Sequence, residues 1–226
     1  FACSSQWPWG LPPPVGMPAM DAGSASGCTA PQAEPATGVG YTLAEIPPLL
    51  QEEWSAKLDQ VVSRRSYARD DVAELLPFLY LGGLRHARNT KLLKAKGIRH
   101  VLNLAPDQCD RITAEYYQQD PSLRAAGWAV TVRSVRAEDA IGYPLLERHW
   151  LDCLRWIDEA RGAGAAVLVH CYQGVNRSPT IALAYLMAHH QWPLLRAARH
   201  VHNARPMVLT NHHFQQELVR FAATEG

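Results

Sequence analysis

Two apolar runs, residues 166–169 (Ala-Val-Leu-Val) and 179–187, are separated by only nine residues: His170-Cys171-Tyr172-Gln173-Gly174-Val175-Asn176-Arg177-Ser178. A short Val/Leu run followed by a longer apolar one reads as a buried strand and then a buried helix. The nine residues between them must turn tightly, and Gly174 lets the backbone come close to whatever the turn encloses. A helix N-terminus presents unpaired N–H groups and the positive end of the helix dipole, so residues 171–177 form a cradle suited to a dianion. Free cysteine titrates near ~8.5, whereas thiols at helix N-termini fall to roughly 3.5–7.5. A fall of about three units is worth ~4 kcal/mol in favour of the thiolate. The position of Cys171 therefore predicts a nucleophile aimed at a bound phosphate. The plain alternative, a small buried hydrophobe, leaves a charged Arg177 six positions on without a purpose.

With 226 residues, 47% hydrophobic content and a formal charge of +1, the chain can bury one full core. A near-zero charge argues against a dedicated nucleic-acid binder. The five cysteines (Cys3, Cys28, Cys109, Cys153, Cys171) are scattered, odd in number and without C-x-x-C spacing. Neither a disulfide framework nor a zinc site is expected, and a reducing compartment fits best. The adjacent pairs His189/His190 and His212/His213 do not share a helix face, so no metal and no cofactor are expected. No run approaches the eighteen or so apolar residues that cross a bilayer. These features predict no membrane partner and a cytoplasmic location, with the nucleus as the alternative. The chain begins at Phe1 rather than at methionine, so an upstream targeting segment is left open. The oligomeric state is not readable.

Residues 1–40 hold 7 of the 16 prolines and 6 of the 15 glycines and no lysine or arginine, the composition of a flexible tail. Trp7, Trp9 and Pro12-Pro13-Pro14 could serve a proline-binding module, though a solvated leader is the simpler reading. Residues 41–70 are expected as a helical lead-in, with Trp54, Leu58, Val61 and Val62 on one side. Residues 71–226 are expected as the catalytic domain. Strands are predicted at 78–81, 100–104, 129–133 and 166–170. Helices are predicted at 90–96, closed by Gly97, and at 145–160, 181–189, 194–203 and 211–223, the last capped by Asn211. Strand-helix alternation predicts an α/β three-layer sandwich around a mostly parallel, mixed sheet of about five strands.

The run from His170 to Ser178 matches His-Cys-x5-Arg-Ser/Thr, and the chain resembles the dual-specificity branch of the cysteine-based protein tyrosine phosphatase superfamily. Leu79-Tyr80-Leu81-Gly82-Gly83, Gly97-Ile98-Arg99-His100-Val101-Leu102-Asn103-Leu104, Ala184-Tyr185-Leu186-Met187, and Arg205-Pro206 with Asn211 and Phe214 are similar to other stretches of that branch. The resemblance implies a protein tyrosine phosphatase-like fold and metal-independent dephosphorylation of phosphotyrosine, phosphoserine and phosphothreonine proteins. Cys171 would carry the phosphoryl group and Arg177 would grip two of its oxygens bidentately. The backbone of Tyr172, Gln173, Gly174, Val175, Asn176 and Arg177 would bind the rest. His170 would support the loop. Ser178 would stabilise the departing thiolate, or only cap the next helix. Asp139 is the expected general acid, with Glu138 and Asp152 as rivals. Cys109 is a candidate resolving thiol.

Several features depart from the pattern. Asn176 stands where serine is usual and resembles relatives that remove RNA 5′ phosphates, which makes an RNA 5′-phosphatase the first alternative. A phosphopeptide-binding module with a vestigial site is the second. Glu217 stands where glutamine is usual, a change the sequence does not explain. None of Tyr172, Gln173 and Val175 is basic, which disfavours a lipid headgroup. There is no recognisable phosphotyrosine clamp, and Arg64-Arg65 is too short to be a kinase-docking cluster.

Overall fold

A computed structural model describes residues 40–63 and 71–225. The expected tail, its tryptophans and triple proline, and Arg64-Arg65 lie outside the described residues. In order come α1 (Pro48–Val62), β1 (Ala73–Leu76), β2 (Leu79–Gly83), α2 (Leu84–Ala87), α3 (Thr90–Ala95), β3 (Ile98–Asn103), α4 (Ala114–Gln119), α5 (Pro121–Ala125) and β4 (Thr131–Ser134). The long α6 (Leu145–Gly162), β5 (Ala166–Cys171), α7 (Arg177–His190), α8 (Leu194–Ala204) and α9 (His212–Glu225) follow.

The five strands form one sheet in the order β1-β2-β5-β3-β4. The pairs β2–β5, β5–β3 and β3–β4 are parallel, and only β1 runs antiparallel, on the edge beside β2. Strand β5 is central and buried at every position, which is why its sequence is a continuous apolar run rather than an alternating one. Helix α7 is as thoroughly enclosed, with eleven consecutive buried residues from Arg177 to Met187. The sheet flanked by helices is the expected α/β sandwich. Because parallel strands all end on one side, the C-terminal ends of β5, β3 and β4 deliver His170-Cys171, Asn103 and Ser134 to a common edge.

Local chemistry explains several boundaries. Gly97 adopts φ +70° beyond α3 and ends it. Asn211 accepts a hydrogen bond from the His213 N–H at 3.0 Å, capping α9 as expected. Two differences stand out. Residues 73–76, Ala-Glu-Leu-Leu, have helical propensity yet form β1, because Ala73 and Glu74 pair with Leu81 and Tyr80 of β2. Helix α7 starts at Arg177 rather than at residue 181, since Pro179 falls in the first turn, where its missing N–H costs nothing.

Candidate active site

The loop between β5 and α7 is turned inside out. The Tyr172 carbonyl accepts from Leu84 N–H at 2.9 Å and the Val175 carbonyl from Leu209 N–H at 2.7 Å. Arg205 grips the two between them, with Nε 2.8 Å from the Gly174 carbonyl and Nη2 2.7 Å from that of Gln173. With four successive carbonyls satisfied on the outside, the N–H groups are turned toward the concave side, the form of an anion nest. Close approach is secured by glycine on both faces of the contact. A Cβ at Gly174, whose φ is +74°, would stand 2.4 Å from the Gly82 carbonyl oxygen, and one at Gly83 would stand 2.8 Å from that of Gln173. Leu209, itself at φ +57°, is held by Gln215, whose amide donates to the Leu209 carbonyl at 2.7 Å.

Cys171 ends β5 and is 1% exposed. Its Sγ receives the Gly174 N–H at 3.2 Å and the Ser178 hydroxyl at 3.3 Å. Ser178 is therefore not the helix cap considered as its alternative role. The N-cap position belongs to Asn176, whose side chain makes no cap bond. Arg177, 5% exposed, is oriented by the Ala137 carbonyl (3.1 Å) and by Gln108 Oε1 (2.7 Å). Its Nε is buried without a hydrogen-bond partner, 3.8 Å from Asp139 Oδ2. His170 is fully buried beneath the loop, with Nδ1 3.2 Å from the Cys171 carbonyl. Burial pushes its pKa down to about 4, with His86 and Arg177 also lowering it, so the ring is neutral at physiological pH.

Asp139 lies on the segment between β4 and α6. Asn176 Nδ2 donates to its Oδ2 and Asn211 Nδ2 to its Oδ1, each at 3.2 Å. Asn211 also reaches the Ala140 carbonyl at 3.4 Å. Asn176 in turn accepts from the Thr210 hydroxyl and the Asn211 N–H, both at 3.1 Å. Its amide thus joins the phosphate loop, the Asp139 loop and the start of α9. The rivals fare differently. Asp152 is engaged by Arg133 through two bonds of 3.0 and 2.5 Å on α6, and Glu138, exposed as Asp139 is, makes no hydrogen bond among the described residues.

Sequence reasoning missed Gln108, the second role of Asn211 and the grip of Arg205. It also left Glu217 unexplained. Glu217 Oε2 and Oε1 accept the N–H groups of Leu145 (3.1 Å) and Leu146 (3.2 Å), capping α6 from another helix because Pro144 has no side chain able to do so. Cys109 is a buried free thiol close enough to Cys171 to feel its charge, and burial with that charge pushes its pKa up to about 11. No group of three or more potential metal ligands occurs among the described residues. No helix among them is long and apolar enough to cross a membrane.

A parallel-sheet α/β sandwich with a cysteine and an arginine flanking an inward-facing amide loop defines the class of cysteine-based phosphatases. The comparisons narrow it: residues 79–224 match the family model for the dual specificity phosphatase catalytic domain, and the chain belongs to that family. It is 34% identical over 155 residues to dual specificity protein phosphatase 1 of Arabidopsis thaliana, covering 68% of this chain and 71% of the relative. It is 35% identical over 150 residues to protein phosphatase Slingshot homolog 3 of Mus musculus, covering 66% of this chain. The chain spans only about a fifth, 21%, of the Slingshot relative's length. Among solved structures it is similar to DUSP15 (TM-score 0.56, 25% identity, covering 68% of this chain and 88% of that one). It is also similar to human DUSP28 (TM-score 0.52, 26% identity, covering 70% and 97%).

Proposed function

We propose that this chain removes phosphate from phosphotyrosine, phosphoserine and phosphothreonine of proteins through a phosphocysteine at Cys171. The observation that carries the reading is the sulfur of Cys171 receiving the Gly174 N–H and the Ser178 hydroxyl at the mouth of the amide nest. In the first step the thiolate attacks phosphorus, the S–P bond forms and the P–O ester bond breaks. Asp139 gives its proton to the departing oxygen, a contribution of ~10²–10⁴-fold. The nest and Arg177, freed from Asp139, hold the equatorial oxygens as charge spreads over them. In the second step Asp139 takes a proton from water, water attacks phosphorus, and the S–P bond breaks. The Ser178 hydroxyl stabilises the thiolate that leaves. His170, neutral and buried, keeps the Cys171 carbonyl in place and adds no charge.

The test is phosphate release from phosphopeptides by the wild type and by Cys171→Ser. The variant should bind phosphopeptide and release none. Turnover above about one per cent of wild type would remove Cys171 from the nucleophile's role, and saturable binding without release by the wild type would favour the binding-module alternative. The RNA 5′-phosphatase alternative drew its support from Asn176. Its amide contacts Asp139, Thr210 and Asn211 instead, which accounts for the residue without an RNA substrate.

A further inference from the structure

Residues 160–216 contain five arginines and no aspartate or glutamate. Four of the five have visible work. Arg177 and Arg205 build the phosphate loop, Arg161 joins Asp158 at 3.4 Å, and Arg196 lies over the Trp192 ring at 4.5 Å. Arg199 is exposed on α8 and meets no hydrogen-bond, ion-pair or ring partner among the described residues. It lines a cavity of about 540 Å³ between α1 and α8. Lys57 of α1 also lines it, its ammonium lying over the Trp54 ring at 4.5 Å, and so does His202. Val61 and Leu195 supply apolar surface, and Gln60 and Asn203 supply amides. Among the described residues no carboxylate lines the cavity. Glu53 reaches Lys57 from one turn away, at 2.6 Å, through an exposed pair that water screens. Asp59 is turned toward α9, where its Oδ1 accepts from Gln215 at 3.4 Å. His202 Nδ1 is buried without a hydrogen-bond partner, a state native proteins seldom leave unanswered.

We infer that the α1–α8 cavity docks an acidic segment of a partner protein. Two cations on opposite walls suit carboxylates spaced along a chain. The volume exceeds what a single small anion fills, and side-chain amides beside apolar surface match a peptide backbone and its intervening side chains. A flat basic helix would suit a membrane surface; here the charge lies in a cleft walled by two helices. The inference does not depend on the catalytic reading, because the cavity contains none of the residues proposed for chemistry.

The experiment measures anisotropy of a fluorescein-labelled ten-residue Glu/Leu peptide on the full chain, with the phosphate loop saturated by orthovanadate. The double variant Lys57→Ala with Arg199→Glu should weaken binding about tenfold or more, and added salt should do the same to the wild type. Arg124→Glu, a single charge reversal on the exposed end of α5, should leave binding unchanged. Turnover of p-nitrophenyl phosphate should be the same in all three proteins, which also reports folding. If the double variant does not fold, Arg199→Ala alone should weaken binding about threefold or more. Peptide binding that occurs without orthovanadate but not once the loop is saturated with it, or equal affinity in wild type and variants, overturns the inference. So does a wild type that binds phosphatidylserine vesicles through Lys57 and Arg199 but not the peptide.

Discussion

Replacing Glu217 by glutamine should change how stability depends on pH. Glu217 is 1% exposed, on α9, and its two oxygens cap the first turn of α6. Burial raises its pKa from 4.5 to about 7. The bonds from Leu146 and Leu145 oppose that rise, Glu147 adds to it and Arg220 opposes it. A carboxyl whose folded pKa exceeds its unfolded one holds its proton longer in the fold, so stability falls as pH rises through that window. The full difference is about 3 kcal/mol at ~1.36 kcal/mol per unit, and about 2–3 kcal/mol of it is lost between pH 5 and pH 8. Glutamine keeps the shape without the charge. It can accept from only one of the two N–H groups, which costs on the order of 1–3 kcal/mol at every pH.

The assay is urea unfolding of the wild type and Glu217→Gln at pH 5, 6, 7 and 8 under reducing conditions. All other titrating groups are shared, so they cancel in the difference between the two proteins. The wild type should be the more stable at pH 5, and its advantage should shrink by about 2–3 kcal/mol, to nothing or below, by pH 8. A difference that stays flat within about 0.5 kcal/mol, or grows with pH, refutes the reasoning.

Ser178→Ala should slow thiolate departure more than phosphoryl transfer to Cys171, so rapid-quench kinetics should show a burst and an accumulated phosphoenzyme absent from the wild type. Gly83→Ala should lose stability by about 1–3 kcal/mol in denaturant titration, together with most turnover, because the new Cβ meets the Gln173 carbonyl at 2.8 Å. Asn211→Ala should lower kcat on phosphoserine peptides more than on p-nitrophenyl phosphate, whose leaving group needs little protonation. Equal losses on both substrates would remove Asn211 from positioning Asp139.

How much was legible follows from where each signal is stored. Strand β5 and helix α7 are continuous apolar runs because both are enclosed on all sides, so burial itself wrote them into the sequence. Strand β1 was not legible, since four residues with helical propensity become a strand only when β2 lies beside them. The brief α4 and α5 are fixed by the Thr113 and Asp120 caps and by Tyr117 donating to the Ala87 carbonyl, a contact across thirty residues. At the site, Cys171 and Arg177 are local in sequence and could be read from spacing. Arg205 reaches Gly174 across 31 residues and Asn211 reaches Asp139 across 72, separations that no period or motif encodes.

That division has a chemical consequence. The nine residues from His170 to Ser178 name the reacting groups, but they do not by themselves turn four carbonyls outward. Arg205, Leu209 and Leu84 do so, and they can approach only because Gly83 and Gly174 leave room where the loop meets β2. The same Asn211 that starts α9 holds Asp139, and Glu217, one and a half turns further along α9, fixes the start of α6 at the far end of the Asp139 loop. Helix α9 and its cap therefore tie the middle and the C-terminal end of that loop to the turn that grips the phosphate nest. Changes on α9, remote from Cys171 in sequence, should act on proton transfer before they act on phosphate binding, since the nest keeps its own anchors at Arg205 and Leu84.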